Sequence, residues 1–196
     1  MKKFWVVFFL LFSVCALAQT VVFFSPSNKC ENGLVELIDN STSTIDAAVY
    51  AINNDNIVEA LKKAHDRGVK IRILTDRLQA AGKSSKVREL RAHGINVRVH
   101  SKFKIEHNKF AIFDGKKVST GSYNWTNAAS NKNSENCVFF TEISDVVTYY
   151  RKRFRYLWQV NTRKASEEWF NKKKLVVVPE TPTQPENALT TNTQTP

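Results

Sequence analysis

Apolar residues along the chain follow two alternating patterns, and each pattern predicts a different element. Segments whose apolar residues alternate or run continuously predict strands. These segments are residues 21–24, 45–52, 69–74, 95–99 and 137–141. Segments with apolar residues at helical spacing predict helices after Gly33, between 54 and 68, between 84 and 94, and from 146 to 158. Gly68 and Gly94 stand at positions where helices commonly end.

A hairpin interrupts this alternation in the second half of the chain. Residues 110–113 form an apolar run, Asp114 and Gly115 provide a turn, and a second strand-like segment follows at 118–122. Alternating strands and helices are typical of an α/β domain with helices on both faces of the sheet. Because a hairpin is antiparallel, we predict a mixed β-sheet rather than a purely parallel one.

The N-terminal 18 residues have the layout of a secretory signal peptide. Lys2 and Lys3 precede an apolar run of 15 residues that ends at Ala16-Leu17-Ala18. The run is shorter than the roughly 20 residues that a membrane-spanning helix needs. We therefore predict a periplasmic or secreted protein, although a segment left uncleaved would anchor it to the membrane.

Residues 177–196 differ in composition from the rest of the chain. They hold four of the five prolines together with many Thr and Asn residues, and such a segment buries too little apolar surface to fold. We predict a disordered tail here, which leaves residues 19–176 as a single domain of 158 residues. The two terminal segments contain two lysines and two glutamates, so 27 basic and 16 acidic residues remain and the domain keeps the net charge of +11.

Charge and cysteine content narrow the classes of protein further. The composition excludes a mostly disordered chain, a multi-span membrane protein and a cysteine-stapled miniprotein. A domain this basic favours a polyanionic partner such as nucleic acid, an anionic membrane surface or a phosphate-bearing substrate. Cys15 leaves with the signal peptide, so Cys30 and Cys137 either form one disulfide in an oxidising compartment or stay unpaired.

Candidate chemistry is concentrated around the hairpin. His107 and Lys109 are two residues apart at a strand start, which places both side chains on one face. Ser122 and Asn124 repeat this spacing on the next segment, so pairing of the hairpin would bring the four polar groups together. Such a set suits a phosphate group. Glu135 is a candidate to accept a hydrogen bond from His107 and fix its tautomer.

The spacing of these residues resembles the signature of a known family. His107-x-Lys109-x4-Asp114-x6-Gly121-Ser122 is similar to the motif of the phospholipase D superfamily. The continuation over 121–126 and 133–136 resembles the small bacterial periplasmic endonucleases of that superfamily. The resemblance extends over roughly residues 20 to 160 and implies a phospholipase D-like nuclease domain.

The resemblance also implies a role for each residue of the motif. His107 would attack phosphorus to form a covalent phosphohistidine, while Lys109 and Asn124 bind the non-bridging oxygens. Ser122 would add a hydrogen bond, and Glu135 would hold the imidazole. Asp114 and Gly121 would be supporting residues. No metal or other cofactor is expected.

This mechanism needs a second imidazole, but the chain contains one His-x-Lys motif. We therefore expect a homodimer with a shared active site. A monomer that uses His100 as the acid is the alternative, and we expect His65 and His93 to be surface or structural residues.

Basic and aromatic residues near the motif form a candidate nucleic-acid surface. Bases of single-stranded nucleic acid would stack on aromatic rings beside lysines. The candidates are Lys102, Phe103, Lys104, Trp125 and Lys132. Alternatively, such aromatics belong to the core, and we expect this of one of Tyr123 and Trp125. The basic residues at 151–155 are by default a solvated helix face.

Three hypotheses for function follow. The leading one is an exported, metal-independent phosphodiesterase, most simply an endonuclease, that hydrolyses DNA, including single-stranded DNA, or RNA with little sequence specificity. The second is a phospholipase D that acts on membrane phospholipids, and peripheral association with a membrane is compatible with either. The third is a DNA-binding module without catalytic activity.

Overall fold

The computed structural model describes residues 18–175. The predicted signal peptide, apart from Ala18, and the predicted tail lie outside the described residues. None of the helices in the described part of the chain combines the length and the hydropathy that a membrane span requires.

Fourteen elements follow one another along the described residues. The strands are β1 (Gln19–Ser25), β2 (Thr44–Val49), β3 (Lys70–Thr75), β4 (Asn96–Val99), β5 (Lys109–Phe113), β6 (Lys117–Gly121) and β7 (Glu135–Thr141). The helices are α1 (Lys29–Asp39), α2 (Asp55–Asp66), α3 (Arg77–Ala80), α4 (Val87–Ala92), α5 (Asn127–Asn131), α6 (Ser144–Val160) and α7 (Arg163–Lys172).

The strands form one sheet in the order β1-β7-β6-β5-β2-β3-β4. Strands β2, β3 and β4 are parallel, whereas β5 pairs antiparallel with both β2 and β6, and β7 pairs antiparallel with β6 and β1. The predicted hairpin is the β5–β6 pair. The prediction of a mixed α/β sheet is confirmed.

Helices cover both faces of this sheet. The larger core packs α1, α2, α4 and α7 against one face, and its buried residues include Leu34, Leu61 and Phe170. The smaller core packs α6 against the other face, where Phe154 and Leu157 lie among buried residues of β5 and β6. The expectation of helices on both faces is therefore confirmed as well.

Two predicted boundaries differ from the structure for identifiable reasons. The first helix begins at Lys29 and therefore includes Gly33. A glycine is suited to this position because a Cβ atom there would lie against the ring of Phe139 on β7. Helix α4 begins at Val87 rather than at the preceding serines. The hydroxyl of Ser85 accepts the Val87 amide proton, and the amide of Lys86 donates to the carbonyl of Ile52.

Cys30 and Cys137 form a disulfide that joins α1 to β7. Their Cα atoms are 5.8 Å apart, within the usual range for a disulfide. Both side chains are buried in the larger core, so the bond joins β7, the strand next to the edge strand β1, to the helix that covers it.

We expect reduction of this disulfide to lower the free energy of unfolding by about 2–4 kcal/mol, because the bond restricts the unfolded chain over a sequence separation of 107 residues. Urea unfolding with and without dithiothreitol measures the difference. A Cys30→Ser/Cys137→Ser variant should be insensitive to the reductant. Identical unfolding curves for the reduced and oxidised wild-type protein would contradict the prediction.

Candidate active site

The residues of the motif lie at one edge of the sheet, by which we mean the edge formed by strand ends and not by an outermost strand. Strand β5 begins at Lys109, β6 ends at Gly121 and β7 begins at Glu135. Because β5 and β7 run antiparallel to β2 and β6, the starts of the first pair and the ends of the second pair meet at the same edge. The five predicted catalytic residues are at this edge: His107, Lys109, Ser122, Asn124 and Glu135.

The ammonium group of Lys109 is held close to the chain that carries His107. Its Nζ donates a 2.6 Å hydrogen bond to the carbonyl oxygen of His107 and lies 5.0 Å from the centre of the Tyr50 ring. Burial lowers the pKa of Lys109, while the negative charges of Glu135 and Glu106 act to raise it. The site therefore contains a partly desolvated cation whose field is stronger than it would be in bulk water.

His107 lies in the loop that precedes β5, where its side chain is exposed. Its ring packs edge-on against Tyr50, with centroids 4.7 Å apart. The hydroxyl of Tyr50 accepts a 2.9 Å hydrogen bond from Gln79 Nε2. Tyr50 thus orients both His107 and Lys109. The sequence analysis missed this role because Tyr50 lies within the predicted strand 45–52, whereas the observed strand β2 ends at Val49.

A buried carboxylate also shapes this loop. Glu106 is 1% exposed, and its Oε1 accepts hydrogen bonds from the amide and the side chain of Asn108 at 3.1 and 2.6 Å. The backbone of Glu106 is in turn bound to Asp76 Oδ2 at 3.3 Å. Glu106 and Asn108, the two chain neighbours of His107, are therefore both held by hydrogen bonds. The sequence analysis identified neither of them.

His100 is a structural residue at the base of the same loop. Its Nε2 lies 3.0 Å from Asp76 Oδ2, and its Nδ1 lies 2.9 Å from the carbonyl oxygen of Phe103. The residue is only 1% exposed. The alternative in which His100 acts as the acid of a monomer is wrong, because both ring nitrogens are engaged and the ring is buried.

Glu135 does not have the predicted partner. Its Oε1 accepts a 3.0 Å hydrogen bond from Asn133 Nδ2, and no bond to His107 occurs among the described residues. His107 packs against Tyr50, directly after β2, and Glu135 begins β7. The role of Glu135 in holding the imidazole stays a prediction. Glu135 also acts on the charge of Lys109.

Ser122 and Asn124 follow β6 in the loop that leads to α5. The hydroxyl of Ser122 accepts the Asn136 amide proton at 3.0 Å, so its own proton stays available for a ligand. Oδ1 of Asn124 is buried and has no hydrogen-bond partner among the described residues. Such atoms are rare and costly, which indicates that the Asn124 amide is placed for a ligand or a partner.

A buried polar network fixes the segment that carries Asn124. Oε2 of Glu31 accepts 2.7 Å hydrogen bonds from Asn54 Nδ2 and Ser130 Oγ, and the Ser130 hydroxyl lies 2.6 Å from the Tyr123 hydroxyl. Burial raises the pKa of Tyr123 to about 12, so the phenol stays protonated. The sequence offered no signal for this network, whose members come from four separate segments.

Asp114 directly follows the far end of β5, a strand that extends about 13 Å from Lys109 to Phe113. Its carboxylate accepts five hydrogen bonds from the start of β2, three of them from the amides of Thr42, Ser43 and Thr44 at 2.8–2.9 Å. Burial would raise the pKa of Asp114, but these bonds outweigh it and lower the pKa to about 2. Asp114 therefore clamps β5 to β2 and does not reach the candidate site.

Gly121 allows β6 to end close against β7. It has a φ of +135°, and a Cβ atom at this position would overlap the carbonyl oxygen of Asn136. The motif needs a glycine here because a side chain would push Ser122 away from its contact with Asn136.

The structure divides the predicted nucleic-acid residues into two groups. Trp125 is 2% exposed, so its predicted stacking on bases is wrong. Its ring fills the larger core together with Tyr123, and its carbonyl accepts the amides of Asn53 and Asn54. The three lysines are exposed and Phe103 is half-buried: Lys102, Phe103, Lys104 and Lys132.

Phe103 belongs to a mixed aromatic and basic surface on the α6 side of the sheet. The guanidinium of Arg153 lies 5.8 Å from the centre of the Phe103 ring and 5.5 Å from that of Tyr156. Tyr149 and Tyr156 on the same helix are 71% and 44% exposed. The exposed face of α6 is therefore aromatic as well as basic.

The fold and the motif define a phospholipase D-like domain. The family model described as "Cardiolipin synthase, PLD-like domain" matches residues 34–158. The chain belongs to this family, and it carries the motif residues at the sheet edge described above.

Proteins of similar sequence include some named cardiolipin hydrolase and some named phospholipase D. The chain is 34% identical over 128 residues to a mitochondrial cardiolipin hydrolase of Chlamydomonas reinhardtii, and the match covers 64% of this chain and 56% of the relative. It is 39% identical over 119 residues to a phospholipase D of Rickettsia conorii, covering 61% of this chain and 60% of the relative. The chain thus spans somewhat more than half the length of these relatives.

A solved structure with the same fold is Nuc from Salmonella typhimurium, described as a phospholipase D family member. The TM-score is 0.71 at 29% sequence identity, and the match covers 74% of this chain and 97% of Nuc.

We expect the Asp114 clamp to make stability depend on pH. A folded pKa of about 2, below the ordinary value of 3.8, stabilises the native state fully above about pH 5, and this stabilisation is lost as pH falls through about 4 to about 2. It amounts to about 2 kcal/mol. Urea unfolding of the wild-type protein and of Asp114→Asn at pH 7 and at pH 2.5 measures it, since the difference between the two should shrink at the lower pH. Asp39→Asn, which changes an exposed carboxylate at the end of α1, is the control, and an equal loss in both variants would contradict the clamp.

We expect Gly121→Ala to destabilise the fold by at least about 3 kcal/mol, because both the positive φ and the contact with Asn136 forbid a Cβ atom. Gly68→Ala is a matched control. Gly68 has a φ of +91° but no atom within 4 Å of the added Cβ, so only a backbone cost of about 1 kcal/mol applies. Denaturant unfolding of both variants separates the two effects, and equal losses would show that the close approach to β7 is unimportant.

Proposed function

We propose that this domain is a phosphodiesterase that hydrolyses nucleic acid through His107. The observation that carries the proposal is the meeting of three groups at one sheet edge: the exposed imidazole of His107, the half-buried ammonium of Lys109 and the unpartnered amide of Asn124. An imidazole beside a fixed cation and neutral donors suits attack on a phosphodiester.

The reaction has two steps in this proposal. An imidazole nitrogen of His107 attacks phosphorus, the bond from phosphorus to the leaving oxygen breaks, and a second, protonated imidazole gives its proton to that oxygen. Water then attacks the phosphohistidine, transfers a proton to the second imidazole and releases His107. Lys109 stabilises the negative charge on the non-bridging oxygens, and the Asn124 amide, turned so that its NH2 group faces the phosphate, adds a donor.

The second imidazole would come from His107 of a second copy of the chain. Within the described residues, the other histidine near this edge is His100, which is buried and bound on both ring nitrogens. Apolar side chains are also exposed around the site: Phe24 is 67% exposed, Leu78 78% and Ile105 50%. Their burial between two copies supports a homodimer with a shared active site.

Nucleic acid is the substrate class that the surface charge supports. The domain carries a net charge of +11, and Lys102 and Lys104 are exposed on the loop beside His107. The surface formed by Phe103, Arg153 and Tyr156 adds aromatic rings on which unpaired bases can stack. An endonuclease of low sequence specificity fits contacts of this kind, because they recognise the backbone and the faces of bases rather than base edges.

Phospholipid is the second candidate substrate. The relatives named cardiolipin hydrolase and phospholipase D favour it, and the exposed Leu78 and Ile105 lie on segments that border the site. The same chemistry at His107 would then act on a headgroup phosphodiester.

We also propose that the protein is exported to an oxidising compartment. The signal-like sequence of residues 1–18 and the Cys30–Cys137 disulfide support this location.

The decisive experiment compares substrates under conditions that remove metal ions. The purified protein is incubated in excess EDTA with single-stranded DNA, duplex DNA, RNA, phosphatidylcholine vesicles and cardiolipin vesicles. We expect cleavage of nucleic acid, and we expect His107→Ala to reduce its rate by about a thousandfold or more because the nucleophile is lost. His93→Gln, which alters a histidine at the opposite edge of the sheet, should retain the wild-type rate.

Each other outcome changes the proposal in a defined way. Hydrolysis of lipid alone replaces nucleic acid by phospholipid as the substrate, and DNA binding without any cleavage supports the non-catalytic module. Loss of cleavage on addition of EDTA would overturn the metal-independent mechanism. A fully active monomer in light scattering would overturn the shared site.

A further inference from the structure

A second cluster of chemically active side chains lies at the edge of the sheet opposite to His107. It consists of His65 and Asp66 at the end of α2 and His93 directly after α4. Nε2 of His93 is 2.8 Å from Asp66 Oδ1, and Nδ1 of His65 is 3.9 Å from the same oxygen. One nitrogen or oxygen atom from each residue lies within 4.8 Å of those of the other two.

Hydrogen bonds at the helix ends hold the backbone around the cluster. Each helix is followed by a glycine with positive φ, +91° at Gly68 and +90° at Gly94. The amide of Val69 donates to the carbonyl of Ala64, and the amide of Ile95 donates to that of Leu90, which closes both helix ends. The His65 ring lies against Gly94, where an added Cβ would be 3.2 Å from Cε1 of the imidazole. The two imidazoles are therefore brought together before any ligand binds.

Electrostatics at this position favour a cation. The cluster lies at the C-terminal ends of two helices, where the helix dipoles place partial negative charge. The two nearest arginines along the chain are engaged elsewhere: Arg67 donates to carbonyl oxygens at the end of α1, and Arg91 forms a 2.8 Å ion pair with Glu167. An open depression that includes His65 and Asn96 adjoins the cluster, so remaining coordination positions would face water.

We propose that His65, Asp66 and His93 bind a divalent transition-metal ion, with zinc as the ion that fits best. Two imidazole nitrogens and one carboxylate oxygen are a ligand set that zinc accepts, with water in the fourth position. Ligand atoms around tetrahedral zinc are about 3.3 Å apart, so the cluster needs only a small closing movement of His65. The spacing along the chain did not reveal this site because His93 lies 27 positions after Asp66.

The ion would be a structural clip and would not take part in the reaction at His107. It connects the ends of α2 and α4, which precede β3 and β4, whereas the candidate active site lies beyond the other ends of the central strands. Binding to the native state alone would raise thermal stability.

The test uses the full chain without a histidine tag, after dialysis against EDTA and then metal-free buffer. Isothermal titration with zinc chloride should give one ion per chain. The melting temperature should rise by about 5 °C or more when free zinc is about a hundredfold above its dissociation constant. Cobalt chloride should give a visible d–d absorption band that reports coordination by the imidazoles.

Variants separate this site from other zinc-binding positions. His65→Gln, His93→Gln and Asp66→Asn should each weaken binding about tenfold or more, because each removes one ligand. Asp39→Asn, another exposed carboxylate at a helix end, should bind like the wild-type protein, and so should His107→Ala. Far-UV circular dichroism confirms that each variant is folded.

The proposal is overturned by any of three results. Absence of saturable binding would mean that the cluster is only a hydrogen-bonded network. Wild-type affinity in His93→Gln would place the ion elsewhere, and loss of binding in His107→Ala would place it in the candidate active site.

Discussion

The buried contact between His100 and Asp76 holds the loop that carries the candidate nucleophile. Both ring nitrogens of His100 face oxygen atoms, one from Asp76 and one from the carbonyl of Phe103. The ring therefore has a polar partner at each nitrogen although it is almost fully buried. Removing either member would leave a buried polar group unpaired, which typically costs about 1–3 kcal/mol. Asp76 also caps α3 and binds the backbone of Glu106, so one carboxylate fixes both sides of the site.

The two ends of β5 carry charged residues with opposite roles, one in the candidate site and one in the attachment of β5 to β2. At its start, Lys109 is partly desolvated and close to the charges of Glu135 and Glu106. Its ammonium group also makes a cation–π contact with the Tyr50 ring. At its end, Asp114 is satisfied by amides and hydroxyls of the β2 start. Because β5 pairs with β2 in a fixed register, with Val49 opposite Lys109, the clamp at one end sets the position of the cation at the other.

Residues whose roles depend on local spacing were predictable from the sequence, and residues whose roles depend on tertiary contacts were not. The hairpin and the convergence of Lys109 with the segment after β6 follow from strand periodicity and a turn. Tyr50, Glu106 and Glu31 act through partners that lie far away along the chain or point inwards, so no pattern identified them. Stacking of bases on Trp125 was predicted wrongly because a sequence motif does not specify which side of a strand end is buried.

The proposed dimer follows from a mismatch between the chemistry and the single chain. His107 is exposed and oriented, yet the only other imidazole close to this edge within residues 18–175 is occupied by structural bonds. A proton donor supplied by a twofold-related copy would complete the reaction without a second motif, because the same residue serves as nucleophile in one copy and acid in the other. This arrangement also accounts for the position of the exposed Leu78 and Ile105, since apolar groups that border a shared site are removed from water when the two halves meet.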